Sequence, residues 1–198
     1  MNENFNLNHL ETLYINNDKK QIILTNTLRD ISYYILELTN RKTGYFKRIP
    51  NFIIGRDGKI YEIIKPNYYT KYFNNDWLNK NSIVVSFENV GWLKNNPLNN
   101  EYINWVGDIY NGLVFKKRWR NYIYWEPYKD IQLQVAAELC STLVEEFSID
   151  KRCVHHNTKI NDYMKYNGIL TRSNISQYYT DVNPSFNFET FIKLLKYD

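Results

Sequence analysis

The apolar side chains of this chain recur with two periods, and the points where the period changes divide it into strands and helices. Gln21-Ile22-Ile23-Leu24-Thr25-Asn26-Thr27 is a short β-rich run that stops at polar residues, the pattern of a buried strand whose C-terminal end opens at the surface. Behind it Leu28, Ile31, Tyr34, Ile35 and Leu38 repeat at helical spacing and predict one amphipathic helix ending near Asn40, followed by the basic loop Arg41-Lys42-Thr43-Gly44. Two further β-rich arms, Asn51 to Gly55 and Lys59 to Ile64, flank Arg56-Asp57-Gly58, where Asp-Gly supplies the positive φ of a tight hairpin. Pro66 ends the second arm, and a polar, aromatic loop is expected from Asn67 to Lys80. Ser82 to Asn89 then predicts a strand with Ser82, Val84, Ser86 and Glu88 on one face and Ile83, Val85 and Phe87 on the other.

Asp130 is placed as the cap of a long helix in which Ile131, Val135, Ala136, Leu139, Cys140, Leu143, Val144 and Phe147 form one broad stripe. A strand near Arg152 to His155, a Tyr- and Asn-rich loop, and a short final helix carrying Phe188, Phe191, Ile192 and Leu195 complete the pattern. Strands alternating with helices imply an α/β fold, a single mixed β-sheet flanked by helices.

Length and composition narrow this picture. At 198 residues, with no linker-like stretch, the expectation is a single domain over 1–198, with a core from about 21 to 195 and an aromatic, basic insertion from about 91 to 128. The insertion holds Trp92, Trp105, Trp119 and Trp125, an Asn111-Gly112 hairpin signal, and the basic knot Lys116-Lys117-Arg118-Trp119-Arg120. Two readings of the knot stay open: Arg118 and Trp119 contact a phosphate, base or sugar, or the run is a solvated hairpin with one packed indole. A net charge of +4 is compatible with an anionic small molecule and too mild to imply a nucleic-acid polymer. Met1-Asn-Glu-Asn-Phe-Asn-Leu-Asn has no basic, apolar leader and no run reaches the length of a membrane span, so a soluble, cytoplasmic protein is expected. Cys140 and Cys153 have neither paired zinc spacing nor a disulfide framework, which predicts thiols.

Candidate chemistry concentrates at Cys153-Val154-His155-His156-Asn157, which holds two of the three histidines; His9 is expected at the surface. The order of motifs is informative: a strand ending in Thr25-Asn26-Thr27, the Phe52-to-Glu62 hairpin, Asn81-Ser82-Ile83, Trp125-Glu126-Pro127-Tyr128 opening a long helix, Val154-His155-His156, and Thr180-Asp181 before Pro184-Ser185-Phe186. Together they resemble the zinc-dependent N-acetylmuramoyl-L-alanine amidases, a family that includes phage endolysins and animal peptidoglycan recognition proteins. The resemblance implies a mixed sheet with a zinc ion at its strand ends, whose water attacks the amide between the lactyl group of muramic acid and L-alanine of the stem peptide. It places the second metal ligand on His155, with His156 as an alternative register, and the third on Asp181.

The remaining positions depart from the family pattern. Where a ligand histidine should end the first strand, the chain has Thr25, followed by Asn26, and a threonine hydroxyl is a poor zinc ligand. The positions of the catalytic acid, the assisting tyrosine and the lysine fall on Ser86, Pro50 and Tyr179, none of which moves a proton or stabilises charge in the same way. Glu88 is either a displaced base or a salt-bridged strand residue, and Cys153 is either a third ligand beside His155 and Asp181 or a buried thiol. The leading expectation is therefore an amidase-fold protein of phage or viral type that holds a peptidoglycan fragment or phosphate-bearing small molecule among Thr25, Asn26, Ser86, His155, His156, Tyr179 and Asp181 without cutting it, and needs no cofactor. The rivals are an active zinc amidase with a changed ligand set and a structural or partner-binding subunit, homo-oligomeric or not, using the Trp92-to-Trp125 segment as its interface.

Overall fold

Six consecutive residues buried on both faces place Gln21–Asn26 at the centre of a sheet. The computed structural model describes residues 13–40, 48–99 and 101–196; His9 and the basic loop at 41–44 lie outside them. In chain order these residues form β1 (Tyr14–Ile15), β2 (Gln21–Asn26), α1 (Ile31–Asn40), β3 (Phe52–Ile54), β4 (Ile60–Glu62), β5 (Tyr68–Tyr69), α2 (Asp76–Asn81) and β6 (Ser82–Phe87). After them come β7 (Trp92–Asn96), β8 (Glu101–Ile103), β9 (Ile109–Tyr110), β10 (Phe115–Trp119), β11 (Tyr122–Trp125), α3 (Asp130–Glu146), β12 (Gly168–Thr171), α4 (Arg172–Ile175) and α5 (Phe188–Lys196).

The expected mixed sheet has the order β12-β2-β6-β3-β4, with β12, β2, β6 and β3 parallel and β4 antiparallel at one edge. Alternating side chains divide between its faces. Ile22, Leu24, Ile83, Val85 and Phe87 meet Leu133, Ala136 and Cys140 of α3 and Phe191 of α5, whereas Ile23 and Val84 meet Tyr72, Phe73 and Leu78. Each such side chain contributes about 1.5–3 kcal/mol through the water it leaves. The β3–β4 turn is as expected: Gly58 has φ +82°, and a Cβ there would lie 2.6 Å from Cγ1 of Ile131, so the hairpin tip packs on α3 only with glycine.

Several expectations change. Beyond the single mixed sheet, the insertion forms its own antiparallel sheet, ordered β10-β11-β7-β8-β9. Asn111-Gly112 does not turn a hairpin; residues 111–114 link β9 to β10, which stand at opposite edges of that sheet. The hairpins lie instead at Asn104, whose Oδ1 accepts the N–H groups of Val106 (3.1 Å) and Asp108 (2.9 Å), and at Arg120, in the left-handed region at φ 54°. Asp130 is the first residue of α3 rather than its cap, which is Lys129, and the Gln132 side chain accepts the Lys129 backbone N–H at 3.2 Å. Leu28, at φ 61°, precedes α1 instead of joining its stripe. The Asn67-to-Lys80 loop contains β5 and α2, the latter capped by Asn75, whose Oδ1 accepts the Leu78 N–H at 2.9 Å.

The strand expected at Arg152 to His155 is a single bridge from Cys153 to Ile169, and the adjoining true strand is β12, within the expected Tyr- and Asn-rich loop. The chain leaves the sheet after Val154 because Asn174 Nδ2 donates to the carbonyls of His156 (2.7 Å) and Thr158 (2.8 Å), holding them in a loop.

One core group is unusual. Lys19 is fully buried, and its ammonium donates to the carbonyls of Lys80 (3.1 Å) and Ser82 (3.3 Å) with no carboxylate paired to it among the described residues. Burial pulls its pKa down from 10.5 to about 8. Among the described residues no helix is long and apolar enough to cross a membrane.

Candidate functional site

The parallel strands β12, β2 and β6 end together, and their last residues build a buried polar cluster. Thr25, fully buried, pairs in register with Ser86, and their hydroxyl oxygens lie 2.5 Å apart; Tyr72 OH is 3.1 Å from Thr25 Oγ1. On the other side of β2, the pairing of Thr171 with Leu24 brings Arg172 beside Thr25. Arg172 is 5% exposed and Asp181 2% exposed, and Arg172 Nη1 stands 3.4 Å from Asp181 Oδ2. The guanidinium stacks 3.9 Å from the ring centroid of Tyr179 and 5.8 Å from that of Tyr72. Burial disfavours its charge, but the Asp181 carboxylate, aided by Tyr72 and Tyr179, more than offsets this and leaves Arg172 above the ordinary arginine value.

Asp181 is held from two further sides. Its Oδ2 accepts the Asn26 backbone N–H at 3.2 Å, and its carbonyl accepts the Ser173 N–H at 2.6 Å. Asn26 is fixed by Tyr128, whose hydroxyl donates to its Oδ1 at 2.6 Å. Thr25, Asn26, Ser86, Tyr179 and Asp181 are thus gathered in one place, and Arg172 and Tyr72, which sequence reasoning passed over, stand among them. The available signal for Arg172 was Ile169-Leu170-Thr171-Arg172, an apolar run ending in polar residues as Leu24-Thr25-Asn26 does.

The histidines stand apart. His155 and His156 follow the Cys153 bridge on the far side of β12 from β2, with His155 exposed. Strand spacing puts that position about 10 Å from the line of β2. His156 Nδ1 lies 2.8 Å from Thr158 Oγ1, and the two imidazoles touch edge to face at 5.3 Å. Among the described residues neither imidazole bonds to Asp181. Burial pushes the Cys153 thiol up to about 12, which keeps it protonated near neutrality. Asn157 Nδ2 reaches the Val182 carbonyl at 3.4 Å.

Glu88 is committed elsewhere. Its carboxylate accepts the Ile31 N–H (2.9 Å) at the start of α1, the Arg56 N–H (2.9 Å) and Arg56 Nη1 (2.8 Å). Arg56 also binds Glu126 through Nε (2.6 Å) and Nη2 (3.2 Å) and Asp30 through Nη1 (2.5 Å). In the insertion Arg118 is exposed, Trp119 is half-buried against Trp125 at 5.5 Å, and Arg120 lies over the Trp119 ring at 4.2 Å. Burial lowers the Arg120 pKa and the Asp181 carboxylate opposes that fall, so Arg120 also feels the strand-end cluster.

Zinc asks for three N, O or S donors converging on a point with one position open. Among the described residues no three His, Cys, Asp or Glu side chains converge in this way. At the strand ends the Thr25 hydroxyl is taken by Ser86 and Tyr72, and Asp181 already faces a guanidinium. This donor set does not fit a zinc ion.

A family model described as N-acetylmuramoyl-L-alanine amidase matches residues 16–169. Among curated protein sequences none matches. Solved structures share the fold. The hydrolase AmiA of Staphylococcus aureus, in complex with its ligand, superposes with a TM-score of 0.56 at 11% identity over 90% of this chain and 72% of that one. The N-acetylmuramoyl-L-alanine amidase LysC from Clostridium intestinale gives 0.54 at 13% identity over 94% and 91%. AmiD from E. coli, in complex with the substrate anhydro-N-acetylmuramic acid-L-Ala-D-gamma-Glu-L-Lys, gives 0.53 at 13% identity over 91% and 58%. At these identities the likeness is one of fold, and it is the family model, spanning well over half of the 198 residues, that establishes that this chain belongs to the N-acetylmuramoyl-L-alanine amidase family.

Proposed function

We propose that this member of the family binds a peptidoglycan fragment, or a small molecule bearing phosphate, at the ends of β2, β6 and β12, and does so without metal-assisted hydrolysis. The observation that carries the reading is the Arg172–Asp181 pair. By resemblance Asp181 is a metal ligand; here its charge is balanced by a guanidinium, which is permanently cationic and cannot activate a water as a Lewis acid. Around the pair, Thr25 and Ser86 bond to each other and Tyr179 supports Arg172 from its face. These hydroxyls and the guanidinium bind and orient; none is a base suited to proton transfer near pH 7. The solved complex of AmiD with an anhydromuramoyl peptide favours the same class of ligand here.

The test is metal analysis of purified protein together with release of stem peptide from anhydro-N-acetylmuramic acid-L-Ala-D-γ-Glu-L-Lys, with and without added zinc. Substoichiometric zinc and no release are expected. One zinc per chain with release abolished in Asp181→Ala or His155→Ala would overturn the reading in favour of an active amidase with a changed ligand set.

A further inference from the structure

We infer that the open face of Trp105 is a stacking platform for the sugar ring of the ligand, at the rim of the strand-end site; the inference rests on the ligand-binding reading above and names the residue that meets the sugar. Of the five tryptophans, four have their rings taken up by the protein. Trp125 is fully buried, and Trp77 packs against the cluster of Tyr72, Phe73 and Leu78. Trp119 lies against Trp125 at 5.5 Å with Arg120 over it at 4.2 Å, and Trp92 stacks on Tyr122 at 4.5 Å with Lys94 over it at 5.6 Å. Trp105, in the β8–β9 turn, is 45% exposed, the most exposed of the five.

Its ring is nevertheless held. Trp105 Nε1 donates to the Leu28 carbonyl at 2.6 Å, and the Arg29 guanidinium, ion-paired to Glu37, lies over the ring at 5.2 Å. Leu28 offers that carbonyl from the left-handed φ of 61°, uncommon for a residue with a side chain. The indole N–H is the ring's one donor, so with that edge bonded and one face under a cation, what it presents to solvent is flat and apolar. Contacts lead from this ring to the strand ends. The Leu28 N–H donates to the Asn89 carbonyl at 3.0 Å, Asn89 Oδ1 accepts from Asn26 Nδ2 at 3.5 Å, and the Asn26 N–H donates to Asp181 Oδ2 at 3.2 Å. A muramoyl peptide divides its chemistry in the same way: its amides and carboxylates ask for the hydroxyls and guanidinium at the strand ends, and the C–H face of its pyranose asks for an apolar plane.

Calorimetric titration tests this with anhydro-N-acetylmuramic acid-L-Ala-D-γ-Glu-L-Lys, the sugar-free tripeptide L-Ala-D-γ-Glu-L-Lys, and 3′,5′-cyclic AMP, with circular dichroism and a thermal melt to verify the fold of the variant. The unmodified protein is expected to bind the muramoyl peptide about tenfold more tightly than the tripeptide, and Trp105→Ala is expected to remove that advantage while leaving tripeptide binding as it was. Should Trp105→Ala fail to fold, the indole N–H resonance that Trp105→Phe lacks decides: in the unmodified protein it should shift on addition of the muramoyl peptide and stay in place with the tripeptide. Equal affinity for the two peptides, full affinity for the muramoyl peptide in Trp105→Ala, an equal loss of both peptides in that variant, or an unmoved indole resonance sinks the platform and leaves the ligand-binding reading standing. Binding of cyclic AMP in place of the muramoyl peptide overturns the sugar as occupant. Binding of no probe overturns the platform and the reading beneath it.

Discussion

Two arginines of this molecule, the half-buried Arg56 and the buried Arg172, are held in opposite ways. Arg56 meets Asp30, Glu88 and Glu126, with Nε, Nη1 and Nη2 all engaged. Arg172 meets one carboxylate, Asp181, and the rings of Tyr179 and Tyr72, and its Nε is left without a hydrogen-bond partner. The first is a closed network that ties α1, the β3–β4 hairpin and the entry to α3 together, and nothing in it waits for a ligand. The second is open, and an open polar group in a buried place is where a function is to be sought. Lys19 extends the series: a buried cation with carbonyls and no carboxylate, whose pKa falls to about 8.

Removing cations from this series should separate structural from functional charge. The largest loss is expected for Arg56→Met, which leaves the buried carboxylates of Glu88 and Glu126 with backbone N–H donors but no countercharge; about 3–5 kcal/mol should disappear from the urea-unfolding free energy. Arg172→Met orphans one carboxylate and should cost less, about 2–3 kcal/mol, and Arg172→Met combined with Asp181→Asn should recover most of it. An Arg172 variant as damaging as Arg56→Met, with no recovery in the double variant, would erase the distinction.

Lys19→Met should act in the other direction, stabilising by on the order of 2 kcal/mol near pH 7, because the folded state no longer shelters a charge from water. The sign follows from its lowered pKa. Between about 8 and 10.5 the unfolded chain binds more protons at Lys19 than the folded one, so the stability of the unmodified protein rises with pH across that window, and its penalty is complete below about 8. The variant should lose this rise in denaturation measured at pH 7, 9 and 10.5. The smallest effect is expected at His155, which is exposed: His155→Ala should shift the melting free energy by no more than about 0.5 kcal/mol, and ligand affinity should be unchanged.

The same contrast explains what could be read from the sequence. β2, the β3–β4 hairpin, β6 and α3 were legible because their side chains face a core, and burial writes a period of two or near 3.6 into the residues. The second sheet was not: β10 reads Phe-Lys-Lys-Arg-Trp and is half-exposed, so no alternation marks it. β12 has four residues and was hidden among Tyr and Asn. At the site, Thr25, Ser86 and Asp181 were reached through their order in the family pattern. His155 is favoured by its residue type and by the same family pattern, while Arg172 escapes notice because its partner lies nine residues away across a turn, and only folding brings the two charges together.

The link at 111–114 has a consequence for how the protein meets others of its kind. Five antiparallel strands laid flat would hold their outer members about 19 Å apart, and the five backbone steps from Tyr110 to Phe115 span at most about 18 Å when fully drawn out. The link is thus close to full extension, and it ties the two edge strands to each other, while Tyr102 on β8 and Tyr124 on β11 meet at 5.1 Å across β7. Short, mutually tethered edges of this kind offer a foreign strand little straight hydrogen-bonding margin.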